Sequence, residues 1–335
     1  MIRKLAMIAA GALLLAACHD QAAGGAGARD QIRVVGSSTV YPFTAIVAEH
    51  FLADQPHARP PVIESTGTGA GIKLFCAGPG AAHADIVDAS RRMSRREYEA
   101  CAHNGAGELL EVEIGLDGIA FAHAPRGTAM ALTLADLCRA LAAMPGGRPN
   151  KAHTWREVNP LLPPTRIEVY GPPATSGTRD ALVRMILARG CPAEEPPARC
   201  RGIREDGAYI DTGESDNLIV RKLVSNPDAI GVFGFSYLEE NANMVRGLPI
   251  GGVLPSRATI ADGSYPGARP LYLYVKKARL DVVPGLRRFL SLYARSWGEN
   301  GPLARRGLIA APPETQARSA AIVRDETPLD PRTLR

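Results

Sequence analysis

The stretch Tyr170-Gly-Pro-Pro-Ala-Thr-Ser-Gly-Thr-Arg-Asp180 decides how this chain is read. Residues 166–170 before it carry the β-branched and aromatic side chains of a strand. Pro172 and Pro173 stop that strand and hold the chain extended. Beyond it, Ala181, Leu182, Met185, Ile186 and Ala188 recur at helical spacing. Thr175, Ser176, Gly177 and Thr178 therefore form a strand-to-helix turn in which every side chain is small or hydroxylic. Such a turn joins the unpaired N–H groups of a helix N-terminus to Ser and Thr hydroxyls, which favours a bound anion. A single turn of this kind is commonly only an N-cap, with Ser176 or Thr178 accepting from the backbone.

Three further turns repeat the pattern. Residues 31–35 read as a strand, followed by Gly36-Ser-Ser-Thr-Val40 and a helix through Phe43, Ile46, Val47 and Phe51. Pro61-Val-Ile63 is the next strand, with Ser65-Thr-Gly-Thr-Gly-Ala-Gly71 after it and a helix opening at Ile72. Asp85-Ile-Val-Asp-Ala-Ser-Arg91 gives a short strand, then Ser90 and Arg91 at the start of a helix over 94–102. The glycines of the second turn lack the full G-x-G-x-x-G and its later ribose-binding acid, which argues against a dinucleotide loop. Turns of this type converge beside the carboxyl ends of strands in open α/β sheets, where such sheets bind ligands.

The remaining chain suggests two halves. Residues 108–123 are long for one strand, and Gly115 and Gly118 are expected to break it where the chain crosses between domains. Residues 132–141 form a helix, and 145–165 is Pro/Gly-rich irregular chain holding Trp155. A helix is expected over 218–224. The strand Ala229-Ile-Gly-Val-Phe-Gly-Phe235 reads as the return crossing. A cleanly alternating strand over 271–276 and a helix over 283–293 complete the pattern.

Composition bounds the function. The 335 residues are 46% hydrophobic and 22% charged, as in ordinary globular proteins with room for two cores. Arg3 and Lys4 followed by an apolar run over 5–15, too short to span a bilayer, read as an export leader. It ends in Leu15-Ala-Ala-Cys18, which resembles the bacterial lipoprotein signal and implies cleavage before Cys18 and lipidation of its thiol. Residues 19–30 follow as a flexible Gly/Ala-rich tether. Without Arg3 and Lys4 the 39 basic residues fall to 37 against 34 acidic ones, too mild an excess to suggest nucleic acid. In an oxidising compartment, Cys76–Cys101 and Cys191–Cys200 are the expected disulfides, with Cys138 a buried free thiol inside an apolar helix. Close Cys or His pairs suited to a metal are missing, so neither metal nor cofactor is expected. An enzyme such as a periplasmic phosphatase would need a nucleophile with its base, or a metal pair; there is no Gly-x-Ser-x-Gly elbow and no His beside the four turns.

Taken together, Gly36-Ser-Ser-Thr-Val-Tyr-Pro42, Gly67-Thr-Gly-Ala-Gly-Ile-Lys73, Asp85-Ile-Val-Asp-Ala-Ser-Arg91, Thr154-Trp155 with Leu161-Leu-Pro163, Thr175-Ser-Gly-Thr-Arg-Asp180 and Ala229-Ile-Gly-Val-Phe-Gly-Phe235 resemble one family. It is the phosphate-binding proteins that feed bacterial phosphate ABC transporters, and the likeness covers nearly all of the mature chain. The resemblance implies a two-domain α/β fold of the type II periplasmic-binding-protein kind, with a cleft between lobes joined by two crossing strands. It divides the chain into lobe 1 (31–113 and 238–335) and lobe 2 (114–237), with crossings near 114–118 and 233–237. It further implies a periplasmic monomer that binds inorganic phosphate, has ABC permease subunits as partners, and touches the membrane only through its lipid anchor.

Carried over residue by residue, the resemblance implies a phosphate site made by Ser38, Thr39 and the N–H near Val40; by Thr68 and the N–H of Gly69 or Ala70; by Ser90; and by Ser176, Gly177 and Thr178. Two departures stand out. Many family members have an Arg where this chain has Pro172, and an Asp, which accepts the proton of hydrogen phosphate, where it has Arg91. The exchange suggests that Arg91 or Arg179 binds the anion and that Asp88 or Asp180 accepts the proton. The alternative for Arg91 is an outward position paired with Asp88. Another oxyanion, sulfate or molybdate, remains the competing ligand class.

Overall fold

The computed structural model describes residues 29–334 apart from Thr175 and Glu214. The leader, Cys18 and the tether up to residue 28 lie outside the described residues.

Strands β1 (Arg33–Gly36), β2 (Val62–Ser65) and β3 (Ile86–Ala89) run parallel, with β1 in the middle. Helices α1 (Tyr41–Asp54), α2 (Thr68–Phe75) and α3 (Arg95–His103) follow them in turn. Parallel strands need such crossovers, and the crossovers set the three carboxyl ends side by side. In α1, Phe43, Val47 and Phe51 are one turn apart and face the core, while Pro42 occupies the first turn, where no N–H is needed. Helix α2 opens at Thr68, a turn earlier than the sequence suggested, because Gly67 rather than Gly71 makes the break.

Strand β4 (Leu109–His123) does not break at Gly115 and Gly118. It continues for 15 residues, with a register shift between Glu113 and Gly115. A bulge absorbs the extra residue and re-aims the strand without ending it. The chain then forms α4 (Leu134–Leu141), α5 (Trp155–Val158), β5 (Val169–Gly171), α6 (Gly177–Ala181) running into a π-helical turn at Leu182–Leu187, β6 (Tyr209–Asp211) and α7 (Asp216–Ser225). It continues through β7 (Ile230–Gly234), α8 (Phe235–Glu240), β8 (Arg246–Gly247), α9 (Arg257–Ala261) and β9 (Ala268–Lys276). Helices α10 (Leu286–Ser296), α11 (Pro302–Arg305) and α12 (Pro313–Asp325) close it.

The sheet order is β2-β1-β3-β9-β4-β7-β5-β6, with β8 also on β4. The first two-thirds of β4 pairs with β9, and its last residues, Ile119 to Ala122, pair with β7. One strand thus hands the sheet from one half of the molecule to the other. Each half has its own core. Phe51, Leu110, Leu273, Phe289 and Trp297 belong to the first, and Phe121, Trp155, Leu182 and Phe233 to the second.

The return crossing differs from expectation. At Gly234 the pairing of β7 with β4 ends and the chain turns into α8. Leu238, Val245, Leu248, Ile250, Ile260 and Tyr265 all pack in the second core, although the expected division placed them in lobe 1. Only β9, which pairs with β3 as well as β4, brings the chain back. The expected disulfides Cys76–Cys101 and Cys191–Cys200 are formed and Cys138 is free and buried. Among the described residues no helix is long and apolar enough to cross a membrane.

Candidate functional site

The ends of β1, β2 and β3 meet with backbone against backbone. Gly36 has φ +133°, and a Cβ there would stand 2.1 Å from the Asp88 carbonyl oxygen, so only glycine fits. Ser37 N donates to Asp88 O (2.9 Å), and the Thr66 and Gly67 N–H groups both donate to Gly36 O (2.9 and 2.7 Å). Gly71 passes so close to Gly36 that a Cβ would lie 2.4 Å from its Cα. Three turns are thereby drawn together without side chains between them. Ser90 N then donates to Thr68 Oγ1 (3.0 Å), and the two hydroxyl oxygens lie 3.0 Å apart.

The fourth turn arrives from the other half. Ser176 is the N-cap of α6, its hydroxyl accepting from Thr178 N (3.2 Å). Gly177 N donates across the junction to Ser38 Oγ (2.8 Å). A side chain at Gly177 would meet the Thr39 hydroxyl at 2.2 Å, so the approach depends on glycine.

Between the four turns lies a cavity of about 280 Å³. Its walls are Ser37, Ser38, Ser65, Thr66, Gly67, Thr68, Gly69, Ala70, Ser90, Ala174, Ser176, Gly177 and Asp180. Thr68, Gly69 and Ala70 open α2, and the N–H groups of a helix's first turn have no carbonyl one turn back. The wall therefore offers hydroxyls and helix N–H groups, one carboxylate, and no Lys or Arg among these residues. Buried Thr66 Oγ1 has no protein partner.

Of the residues expected here, Ser38, Thr68, Gly69, Ser90, Ser176, Gly177 and Asp180 line this cavity, while Thr39, Val40, Asp88, Thr178, Arg91 and Arg179 do not. The Val40 side chain is fully buried in the first core. Asp88 points away: its carboxylate accepts from the Thr44 hydroxyl (2.7 Å), which in turn lies 2.6 Å from Tyr293 Oη. Burial pushes the Asp88 carboxyl up to about 8, against the pull of the Thr44 hydroxyl. Arg179 lies over the Tyr209 ring, 4.1 Å from its centroid, and reaches Pro172 O at 3.4 Å. Thr175 lies outside the described residues.

Arg91 takes neither of its expected positions. Its guanidinium grips Glu97 with two bonds of 2.9 and 2.7 Å. Glu97 also accepts from Ser94 N (2.9 Å) in the capping box that starts α3. Burial would raise the Glu97 carboxyl, but the Arg91 and Ser94 hydrogen bonds hold it at about 2. Arg91 instead lines a neighbouring groove with Lys73 and Arg184 that shares Gly69 and Ala70 with the cavity, and Arg184 Nε donates to Asp180 Oδ1 (2.6 Å).

One residue escaped sequence reading. Arg269, the second residue of β9, is 4% exposed and donates to Asp117 on β4 (3.1 and 2.9 Å), to Thr39 Oγ1 (2.8 Å) and to Gly177 O (3.1 Å). A charged residue at the head of an apolar strand was its only signal in the sequence.

Comparison with known proteins agrees with this architecture. A family model described as a PBP superfamily domain matches residues 21–296. The chain belongs to that superfamily. Within it, the relatives that this chain resembles include proteins named SphX and PstS. The chain is 31% identical over 272 residues to protein SphX of Synechococcus elongatus, covering 79% of this chain and 73% of that one. It is 28% identical to the phosphate-binding protein PstS of Staphylococcus haemolyticus, over 84% of this chain and 81% of that one. The crystal structure of a possible phosphate binding protein from Planctomyces limnophilus superposes with a TM-score of 0.71 at 29% identity, covering 88% of this chain and 98% of that one.

Proposed function

We propose that this chain binds inorganic phosphate in the cavity between the four turns. The observation that carries this reading is the wall itself: hydroxyls and helix N–H groups from both halves around one carboxylate, Asp180. A buried oxyanion must have its oxygens hydrogen-bonded, since each unmet polar atom costs about 1–3 kcal/mol, and more when charged. Neutral donors meet that need without crowding full charges into one cavity, and the N-termini of α2 and α6 present favourable dipole ends. Asp180, whose Oδ1 accepts from Arg184 Nε (2.6 Å), offers its other carboxylate oxygen as the acceptor for the proton of hydrogen phosphate. Sulfate has no proton to give at neutral pH and would meet the carboxylate by repulsion, which favours phosphate over the competing oxyanions.

The leader ending in Leu15-Ala-Ala-Cys18 and the resemblance of the turns to the phosphate-transport family support a transport setting, in which the mature chain, held by a lipid anchor at Cys18, works in the periplasm and passes phosphate to an ABC permease. Calorimetric titration of the mature protein with phosphate, sulfate, arsenate and molybdate tests the reading. Phosphate and arsenate should bind and sulfate should bind far more weakly at pH 7. Sulfate or molybdate binding as tightly as phosphate would refute it. Asp180→Asn should narrow the gap between phosphate and sulfate.

A further inference from the structure

We infer that Arg269, with Asp117 as its counter-ion, is a positioning residue that latches the two halves together around the ligand cavity. The inference rests on the phosphate-binding reading for its ligand but not for its geometry. Arg269 sits at the point where β9 returns the chain from the second half to the first. Its guanidinium is almost wholly buried and reaches three separate parts of the fold. Asp117, on the crossing strand β4, fixes its orientation through Oδ2. One terminal nitrogen bonds Thr39 in the turn after β1, and the other bonds the carbonyl of Gly177, the first residue of α6.

The two bonds act on opposite sides of the site. Gly177 is held twice: its carbonyl by Arg269 and its N–H by Ser38 Oγ. Because Ser38 accepts from Gly177, its own hydroxyl hydrogen remains available to the cavity it lines. Likewise Arg269 donates to Thr39, so the Thr39 hydroxyl keeps its hydrogen for another acceptor. The contact between Arg269 and Gly177 exists only while the fourth turn is seated on the first. A planar guanidinium with donors in a rigid fork suits such a three-way junction, and a point cation does not. Its positive charge stands close to the first and fourth turns, while no Lys or Arg is among the residues that line the cavity.

The test compares the parent with Arg269→Met and with Arg269→Met/Asp117→Asn, the second variant avoiding an unpaired buried carboxylate. Thermal unfolding, phosphate affinity, phosphate dissociation rate and small-angle scattering without ligand are measured for each. The single variant is expected to lose stability. The double variant should regain most of it yet bind phosphate at least about tenfold more weakly, through faster dissociation, as expected when a charge-assisted bond is lost. Its unliganded form should also be more open than the parent. A double variant that binds within about twofold of the parent and is equally compact overturns the latch. Should the parent itself fail to bind phosphate, the functional reading falls, and the scattering comparison decides the latch alone: equal compactness overturns it and an opened double variant upholds it.

Discussion

A methyl group at Gly177 would stand 2.2 Å from the Thr39 hydroxyl and 2.9 Å from that of Ser38, both in the opposite half. Neither oxygen can retreat cheaply, because Arg269 holds the one and the Gly177 N–H the other. Gly177→Ala should therefore keep the fourth turn from seating while sparing both cores. Titration should show phosphate affinity reduced by at least about tenfold, with little change in the thermal unfolding of the unliganded protein. Asp88, a few ångströms of backbone behind the same turns, makes a different prediction. Its carboxyl is raised from the usual 3.8 to about 8 by burial. The folded state thus holds a proton that the unfolded chain gives up, and that contribution is fully present only below about pH 4 and is lost as pH rises to about 8. Asp88→Asn removes the dependence and keeps an acceptor for Thr44. Denaturant unfolding should find the variant's stability relative to the parent rising steadily from pH 4 to pH 8; a difference that stays flat across that window would refute it.

At the scale of elements, α3 explains why Arg91 misled. The sequence showed a cation beside Ser90 at a helix opening, yet Ser94 rather than Ser90 caps the helix, and the bend between them turns Arg91 toward Glu97. Arg91→Ala should leave phosphate affinity within about threefold of the parent and lower stability by at most about 1 kcal/mol, the range of a partly exposed ion pair. Titration and denaturant unfolding of one preparation check both. The strand–turn–helix units were legible because period, proline stops and small hydroxylic turns are local signals, and Ser38, Thr68, Ser90 and Ser176 came with them. The return crossing was not legible, because β7 and β9 are both apolar strands and only their partners distinguish them. Arg269 was hidden for a related reason: Asp117, Thr39 and Gly177 lie far from it in sequence, and no local pattern links them.

For the whole molecule, the decisive element is β4, whose two ends serve different cores and whose middle carries Asp117. A shared strand makes the halves mechanically continuous, so that movement between them must be accommodated near the β4 bulge and the start of β9. The two tryptophans happen to divide between these cores, Trp297 in the first and Trp155 in the second, and both are almost completely buried. Each is thus a built-in optical reporter for one half. Replacing either by Phe leaves a chain whose emission follows a single core through a denaturant titration. Because β4 cannot melt from one half without fraying the other, the two single-tryptophan proteins should show superimposable unfolding curves; midpoints that separate by more than the stability cost of each substitution would mean that the halves melt as independent cooperative units, and that phosphate could protect one fluorophore's surroundings while leaving the other's unchanged.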